Sequence, residues 1–255
     1  MNTTSGTLLK SVSPRGVATL TFNRPDRANS YNAEMLDALA AGFEQFGSDP
    51  AVRVIVLRGT GEHFSAGNAI GEAGYPQRPI GDVCALVDAT PKPTVAVIQG
   101  ACIGGALALA SCCDVMIASH GAFFAVPEVR LGFAPGPLVE VFTRALGARA
   151  LRRYLLSGER FYAEEALRLG LVHQLCDAAK IDSVADGLID QLLHGAPTAA
   201  AAAKRILQKQ KPSVHSAEQL RQMQATFEAT AKSDEAAEGR AAFKEKRKPR
   251  WYPPR

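Results

Sequence analysis

Residues 99–119 read QGACIGGALALASCCDVMIAS, and the order of residue types within them decides the fold. The pair Gly104–Gly105 ends a short strand and opens an apolar helix, and a new strand, Val115–Ala118, begins after Asp114. Strand, glycine turn, helix, strand is a β/α repeat, which implies a mostly parallel sheet with right-handed crossovers. Working outward, Thr94–Ile98 (TVAVI) and Val52–Leu57 (VRVIVL) read as short buried strands, and Arg15–Phe22 alternates as a strand should. Asn32 is placed to cap a helix whose apolar residues Met35, Leu36, Leu39, Phe43 and Phe46 keep helical spacing until Asp49–Pro50 ends it. Between the two buried strands, residues 59–79 are rich in glycine and proline and read as a long loop of the kind that carries function.

Past Pro137 the pattern turns helical: Leu138–Leu146, Ala148–Leu156, Ala163–Leu169 and Ile181–His194. The alanines 199–203 lead into another helix, and Ser216–Phe243 is charged with sparse apolar residues (Leu220, Met223, Phe227) that suit packing on a partner rather than an independent core. A break near Pro197 divides a β/α body, residues 1–196, from a helical region, residues 197–255. A chain of 255 residues with 47% hydrophobic and 21% charged residues is long and apolar enough for a large core. The net charge of +4 suits an anionic ligand and demands neither nucleic acid nor membrane. Five cysteines without a CxxC pair read as reduced, buried thiols of a cytoplasmic protein, with no metal site and no disulfide framework. The polar N-terminal stretch lacks a signal-peptide pattern, and the apolar run at 101–113 is too short and glycine-rich to span a bilayer.

Two features point to chemistry. Residues 64–70, FSAGNAI, form a small-residue turn after a strand, where backbone N–H groups can approach a ligand. Gly104–Gly105 open a helix whose first N–H groups are free for an anion. Each alone is a packing device as readily as a site; two such turns after neighbouring strands can converge on one oxyanion.

The residues carrying these features resemble a known family. Phe64–Gly67 with Ile70, the run from Gln99–Gly100 through Gly104–Ala106 to Cys113–Asp114, Pro127–Glu128 with Leu131–Gly132, and Glu238–Pro249 are similar, in order and spacing, to the crotonase (enoyl-CoA hydratase/isomerase) superfamily. Asn23–Pro25 with Asn29 fits the same pattern. The resemblance implies an α/β fold, a spiral of ββα repeats with a helical C-terminal region that trimerises. It implies an acyl-CoA substrate, coenzyme A being part of that substrate and no separate cofactor being needed. By the same resemblance, the backbone N–H groups of Asn68 and Gly105 would hold the thioester oxygen as it becomes an enolate. Arg27, Ala28, Ala66, Asn68, Ile70 and Gly104 would line the coenzyme path, and Phe243 and Lys246 would reach coenzyme bound to a neighbouring subunit.

The departures from the family pattern are informative. Family hydratases hold water between two glutamates; Glu128 keeps one, and Ala108 stands where the other would be. The resemblance therefore implies a single-carboxylate enzyme, hydratase or isomerase, with a non-catalytic acyl-CoA-binding protein as the alternative. Apolar neighbours Phe123, Phe124, Val126 and Leu131 would raise the Glu128 pKa toward neutrality. Glu140 is a weaker candidate for a substitute acid, and His63 reads better as a strand-end hydrogen-bonding residue. Ala69 replaces an aspartate that many relatives carry, and residues 133–144 lack a GGTQR-like run, which implies an acyl pocket unlike that of a short straight-chain hydratase. The basic run Lys244–Arg250 reads as a solvated tail or a trimer contact in preference to a nucleic-acid site.

Overall fold

The computed structural model describes residues 6–72, 76–209 and 216–252; the stretch 73–75 of the long loop lies outside the described residues. The strands are β1 Leu8–Val12, β2 Val17–Phe22, β3 Val54–Gly59, β4 Thr94–Ile98, β5 Ala101–Ile103, β6 Val115–Ser119, β7 Phe123–Ala125, β8 Phe161–Tyr162 and β9 Gln174–Cys176. The helices are α1 Ala33–Ser48, α2 Ile80–Ala89, α3 Gly105–Ser111, α4 Leu138–Ser157, α5 Ala163–Arg168, α6 Ile181–His194, α7 Pro197–Lys209, α8 Ala217–Ala231 and α9 Asp234–Lys244.

One sheet runs β1-β2-β3-β4-β6-β9, parallel throughout except for the antiparallel β1–β2 pair. A second, smaller sheet runs β5-β7-β8, and a parallel bridge from Ser65 to Cys102 extends it by one more segment. The repeat behind this is visible in the order of elements. Strands β4 and β5 go one to each sheet and α3 follows; β6 and β7 do the same and α4 follows after a short turn. Helix α1 begins where expected, with the Asn32 side chain accepting the Met35 N–H at 3.0 Å. Helix α4 joins the two segments read from the sequence across Gly147, whose φ of 73° and ψ of 151° are not helical.

Both faces of the large sheet are covered, which is why its central strands are almost wholly apolar. Ile55, Leu57, Ala96 and Ile98 face a core shared with α1, α2, α3 and α4. Their neighbours Val54, Val56, Val95 and Val97 face Ala185 and Ile189 of α6. Cys84, Cys102, Cys112 and Cys176 are buried as free thiols. Burial is the first cause that raises the pKa of Cys102, and of Cys84 the second after a hydrogen bond to Cys112.

The helical segments after Pro197 differ in how they attach. Helix α7 docks through Lys204, whose Nζ donates to Asp114 Oδ2 at 2.6 Å and to the Lys92 carbonyl at 2.9 Å. Asp114 also accepts the Thr94 N–H and hydroxyl at 2.8 and 2.9 Å, so one carboxylate ties α7 to the starts of β4 and β6. Helix α8 buries none of its residues, whereas α9 buries Ala236, Gly239 and Ala242 against residues 128–132. The basic run after α9 is partly neutralised within the chain, since Arg247 pairs with Glu238 and Glu245, and Arg250 with Glu238. Among the described residues no helix is long and apolar enough to cross a membrane.

Removing the acid of the Lys204 pair leaves a nearly buried ammonium with one carbonyl partner. Asp114→Ala is expected to lower unfolding free energy by about 3 kcal/mol in a urea titration.

Candidate active site

The loop that follows β3 is fixed from two sides. On one side Ser65 donates its N–H to the Ala101 carbonyl at 2.9 Å, and its own carbonyl accepts the Ile103 N–H at 3.1 Å. On the other side Ala66 donates to the Ala28 carbonyl at 2.9 Å, Tyr31 donates to Gly67 at 2.8 Å, and Ala69 donates to Tyr31 at 2.9 Å. Asn29, fully buried, braces the loop: its Nδ2 donates to the Thr60 and His63 carbonyls, each at 2.7 Å, and its carbonyl accepts the Ser65 hydroxyl at 2.7 Å. Arg24 adds an outer tie, donating to the Ser30 carbonyl and to Glu72, whose pKa it lowers by that hydrogen bond.

This bracing sets what is left over. Asn68 lies between the two bonds to Tyr31, so its own N–H faces away from Tyr31, toward the side on which Ile103–Gly105 runs, and it has no acceptor among the described residues. The Gly105 N–H, in the first turn of α3, is likewise free among the described residues, while Gly104 spends its N–H on the Ala125 carbonyl at 2.9 Å. Only glycine suits the approach of these two turns. Gly67 has a φ of 89°, and a Cβ there would stand 2.8 Å from the Ile103 oxygen. Gly104 has a φ of 57°, and a Cβ there would press on Glu128 Oε1 at 3.0 Å. A Cβ on Gly105 would collide with the Tyr31 hydroxyl.

Glu128 begins the short helical turn Glu128–Leu131, directly after β7 and Pro127. It is 8% exposed, and its Oε2 is buried without a hydrogen-bond partner among the described residues. Burial raises its pKa to about 7, its own backbone N–H offsetting this slightly. Glu128 thus adjoins Gly104, next to the free Gly105 N–H, and the turn that carries Asn68 packs through Gly67 on Ile103. Together they can bind an oxygen that gains negative charge and move a proton beside it.

The other residues singled out from the sequence fall into three groups. Ala28, Ala66 and Gly104 belong to the braced turns, with Ala28 in a left-handed conformation at φ 49°. Arg27 and Ile70 lie exposed beside them. Phe243 and Lys246 are also exposed, and no hydrogen bond or ion pair among the described residues joins them to Asn68, Gly105 or Glu128. His63 accepts the Ala101 N–H at its Nδ1, 3.2 Å away, and packs edge-on against Phe123, as a strand-end residue does. Glu140, in the first turn of α4, is half-buried, and no hydrogen bond among the described residues joins it to Glu128. Ala108 is fully buried one turn into α3. Sequence reasoning passed over Tyr31, which is 5% exposed and carries its hydroxyl to Gly105. Only its place between Asn29 and Asn32 hinted that it lies near the site.

Two sheets fed by a ββα spiral, with a glycine-opened helix beside a small-residue turn, define a class of α/β protein with unpaired backbone N–H groups where its turns meet. The chain belongs to the enoyl-CoA hydratase/isomerase family, whose model matches residues 13–253, and its fold is that of crotonase. It is 32% identical over 249 residues to a carnitinyl-CoA dehydratase of Proteus mirabilis, which covers 92% of this chain and 94% of that protein. It is 30% identical over 244 residues to an enoyl-CoA hydratase of Alternaria alternata, covering 92% of this chain and 81% of that one. Among solved structures, a carnitinyl-CoA hydratase from Mycobacterium avium superposes with a TM-score of 0.85 at 28% identity, covering 98% of this chain and 99% of that chain.

The raised pKa of Glu128 has a consequence for stability. The folded state holds this proton more tightly than the unfolded chain, so the stabilisation is complete below the ordinary value of 4.5 and is lost as pH rises through about 7. Glu128→Gln cannot ionise. It is expected to be more stable than the parent by about 3 kcal/mol near pH 8, the gap closing as pH falls toward 4.5, in paired denaturant titrations.

Proposed function

We propose that the protein is an enzyme that turns over an acyl-CoA thioester through an enolate, with Glu128 as its single proton-moving carboxylate. The observation that carries this reading is Glu128 itself: buried, unpartnered at Oε2, adjoining Gly104, and with a pKa of about 7 that suits both taking and returning a proton. In this mechanism the thioester oxygen accepts the N–H groups of Asn68 and Gly105. Glu128 withdraws the α-proton of a β,γ-unsaturated thioester, the C–H electron pair moves into the dienolate, and the proton returns at the γ-carbon to leave an α,β double bond. With water as second substrate, Glu128 instead takes a water proton as the oxygen bonds to the β-carbon, then delivers that proton to the α-carbon. Each backbone donor would lower such a barrier by roughly 3–4 kcal/mol, which fits the bracing of both turns.

Relatives named for a hydratase and a dehydratase favour the water reaction. The buried methyl of Ala108 favours one carboxylate over two, and it also keeps open a second reading, an acyl-CoA-binding protein without turnover. Arg27, Ala28, Ala66 and Ile70 flank the Asn68 turn and form the coenzyme path in this proposal. Helix α8, which leaves its apolar residues at most half-buried although Phe227 packs on Phe133, serves together with α9 as the contact face of a cytoplasmic homotrimer or dimer of trimers, where Phe243 and Lys246 reach a neighbour's coenzyme. Nucleic acid is not a partner in this reading, since the Arg247 and Arg250 charges are already paired.

A panel of enoyl-CoA esters, with crotonyl-CoA and tiglyl-CoA included, tests the enzyme reading. Turnover is expected in the parent and a fall in kcat of about 10²–10⁴-fold in Glu128→Gln. Tight binding of the esters with no turnover of any would establish the binding-protein reading instead. Because the base form of Glu128 is the working form, kcat is expected to rise with pH through about 7 and level off above it. A pH profile flat between about 6 and 8 would remove Glu128 from the chemistry.

A further inference from the structure

Glu128 leaves two things unexplained: what satisfies its buried Oε2, and what does the work of a second polar group when Ala108 cannot. One side chain answers both. Tyr31 follows the 3-10 turn after β2 and packs among α1, α2 and α3 in the main core; its hydroxyl makes no hydrogen bond among the described residues and, unlike Glu128 Oε2, is not fully enclosed. That hydroxyl lies against the Cα of Gly105, where a Cβ would strike it, while Glu128 Oε1 lies against Gly104. A phenol and a carboxylate therefore flank two consecutive glycines, at the turn whose N–H is free for an oxyanion.

The position relative to Ala108 follows from helix geometry. Residues three apart share a face, and each Cα–Cβ bond leans toward the helix N-terminus. An acid at 108 would lean back over Gly104 and Gly105, into the region that the Tyr31 hydroxyl and Glu128 occupy. Burial first, then the nearby Cys84 and Glu128, raise the Tyr31 pKa well above its ordinary value, so the phenol stays protonated and neutral. A neutral phenol does not compete with Glu128 as a base, but its oxygen can accept a hydrogen bond.

We propose that Tyr31 is a water-positioning residue of this site, its oxygen and Glu128 Oε2 together holding the water that adds to an enoyl thioester. One O–H of the water donates to Glu128 Oε2 and the other to the Tyr31 oxygen, which satisfies the buried carboxylate oxygen and aims the water's lone pair outward. As the C–O bond forms at the β-carbon, the π electrons pass to the thioester oxygen and Glu128 takes the water proton. Glu128 then gives that proton to the α-carbon. Tyr31 keeps its own proton throughout. This role rests on the enolate reading above and adds the second polar group that hydration needs and α-proton transfer does not.

Two activities separate the roles: hydration of crotonyl-CoA, and exchange of the α-protons of butyryl-CoA with deuterated solvent, which requires the oxyanion turns and Glu128 but no water addition. In Tyr31→Phe, hydration kcat is expected to fall on the order of 10- to 100-fold, with KM within about twofold and α-proton exchange within about threefold of the parent. Glu128→Gln loses both. Tyr31→Met, with its thermal melt measured alongside, gives the same split and distinguishes loss of the hydroxyl from disturbed packing. Hydration unchanged in folded Tyr31→Phe, or hydration and exchange falling together, overturns the Tyr31 role. A parent protein that exchanges butyryl-CoA but hydrates neither crotonyl-CoA nor tiglyl-CoA also overturns it while leaving the enolate reading standing. A parent that does neither overturns the enolate reading itself.

Discussion

The pair of hydrogen bonds between Ser65 and β5 holds the loop after one strand at ladder distance from the next. Everything at the site is measured from there. The Ser65 bonds align the 65–68 segment with residues 101–105, the Tyr31 bonds fix the far flank, and the free N–H groups are those that neither flank uses. Because these constraints are backbone to backbone, side-chain chemistry can vary around them, provided glycine remains at 67, 104 and 105 where the chains approach. Donors placed this way are held before any ligand arrives, which is the arrangement the proposed mechanism needs to stabilise developing charge.

A second constraint is the burial of an acid with an unmet oxygen. Most proteins avoid this, because a buried polar atom without a partner is costly. Among the described residues the cost is tolerated at one position, Glu128 Oε2, while the other buried charged group, Lys204, is engaged by Asp114 and a carbonyl. The contrast separates Lys204, whose charge docks α7, from Glu128, whose unmet oxygen fits the chemical role proposed for it.

Much of this was legible in the sequence, for identifiable reasons. The glycine pair could be read because a strand, two glycines and an apolar helix allow few alternatives. The break at Gly147 divides α4 at the place the apolar pattern divides. Glu128 stood out through its neighbours Pro127, Leu131 and Gly132, although nothing in the sequence showed that Oε2 would be unpartnered. Helix α2 was passed over: Ile80, Val83, Cys84 and Val87 do keep helical spacing, but the glycine- and proline-rich stretch before them made the region look like loop. Strands β5 and β7, three residues each, are too short to show a period. Tyr31 was barely legible in the sequence, because packing of α1, α2 and α3 places its hydroxyl beside Gly105 and its local context gives little sign of it.

The buried thiols acquire meaning beside this chemistry. An α,β-unsaturated thioester is a Michael acceptor, and the species it alkylates is a thiolate. Cys102 lies in β5, three residues before Gly105, and Cys84 neighbours Tyr31, so both are close to where such an electrophile would be handled. With their pKa values raised well above the ordinary range, and with no exposed surface to speak of, they hold a negligible thiolate population. The fold thereby keeps these two thiols unreactive toward the compounds it is proposed to process.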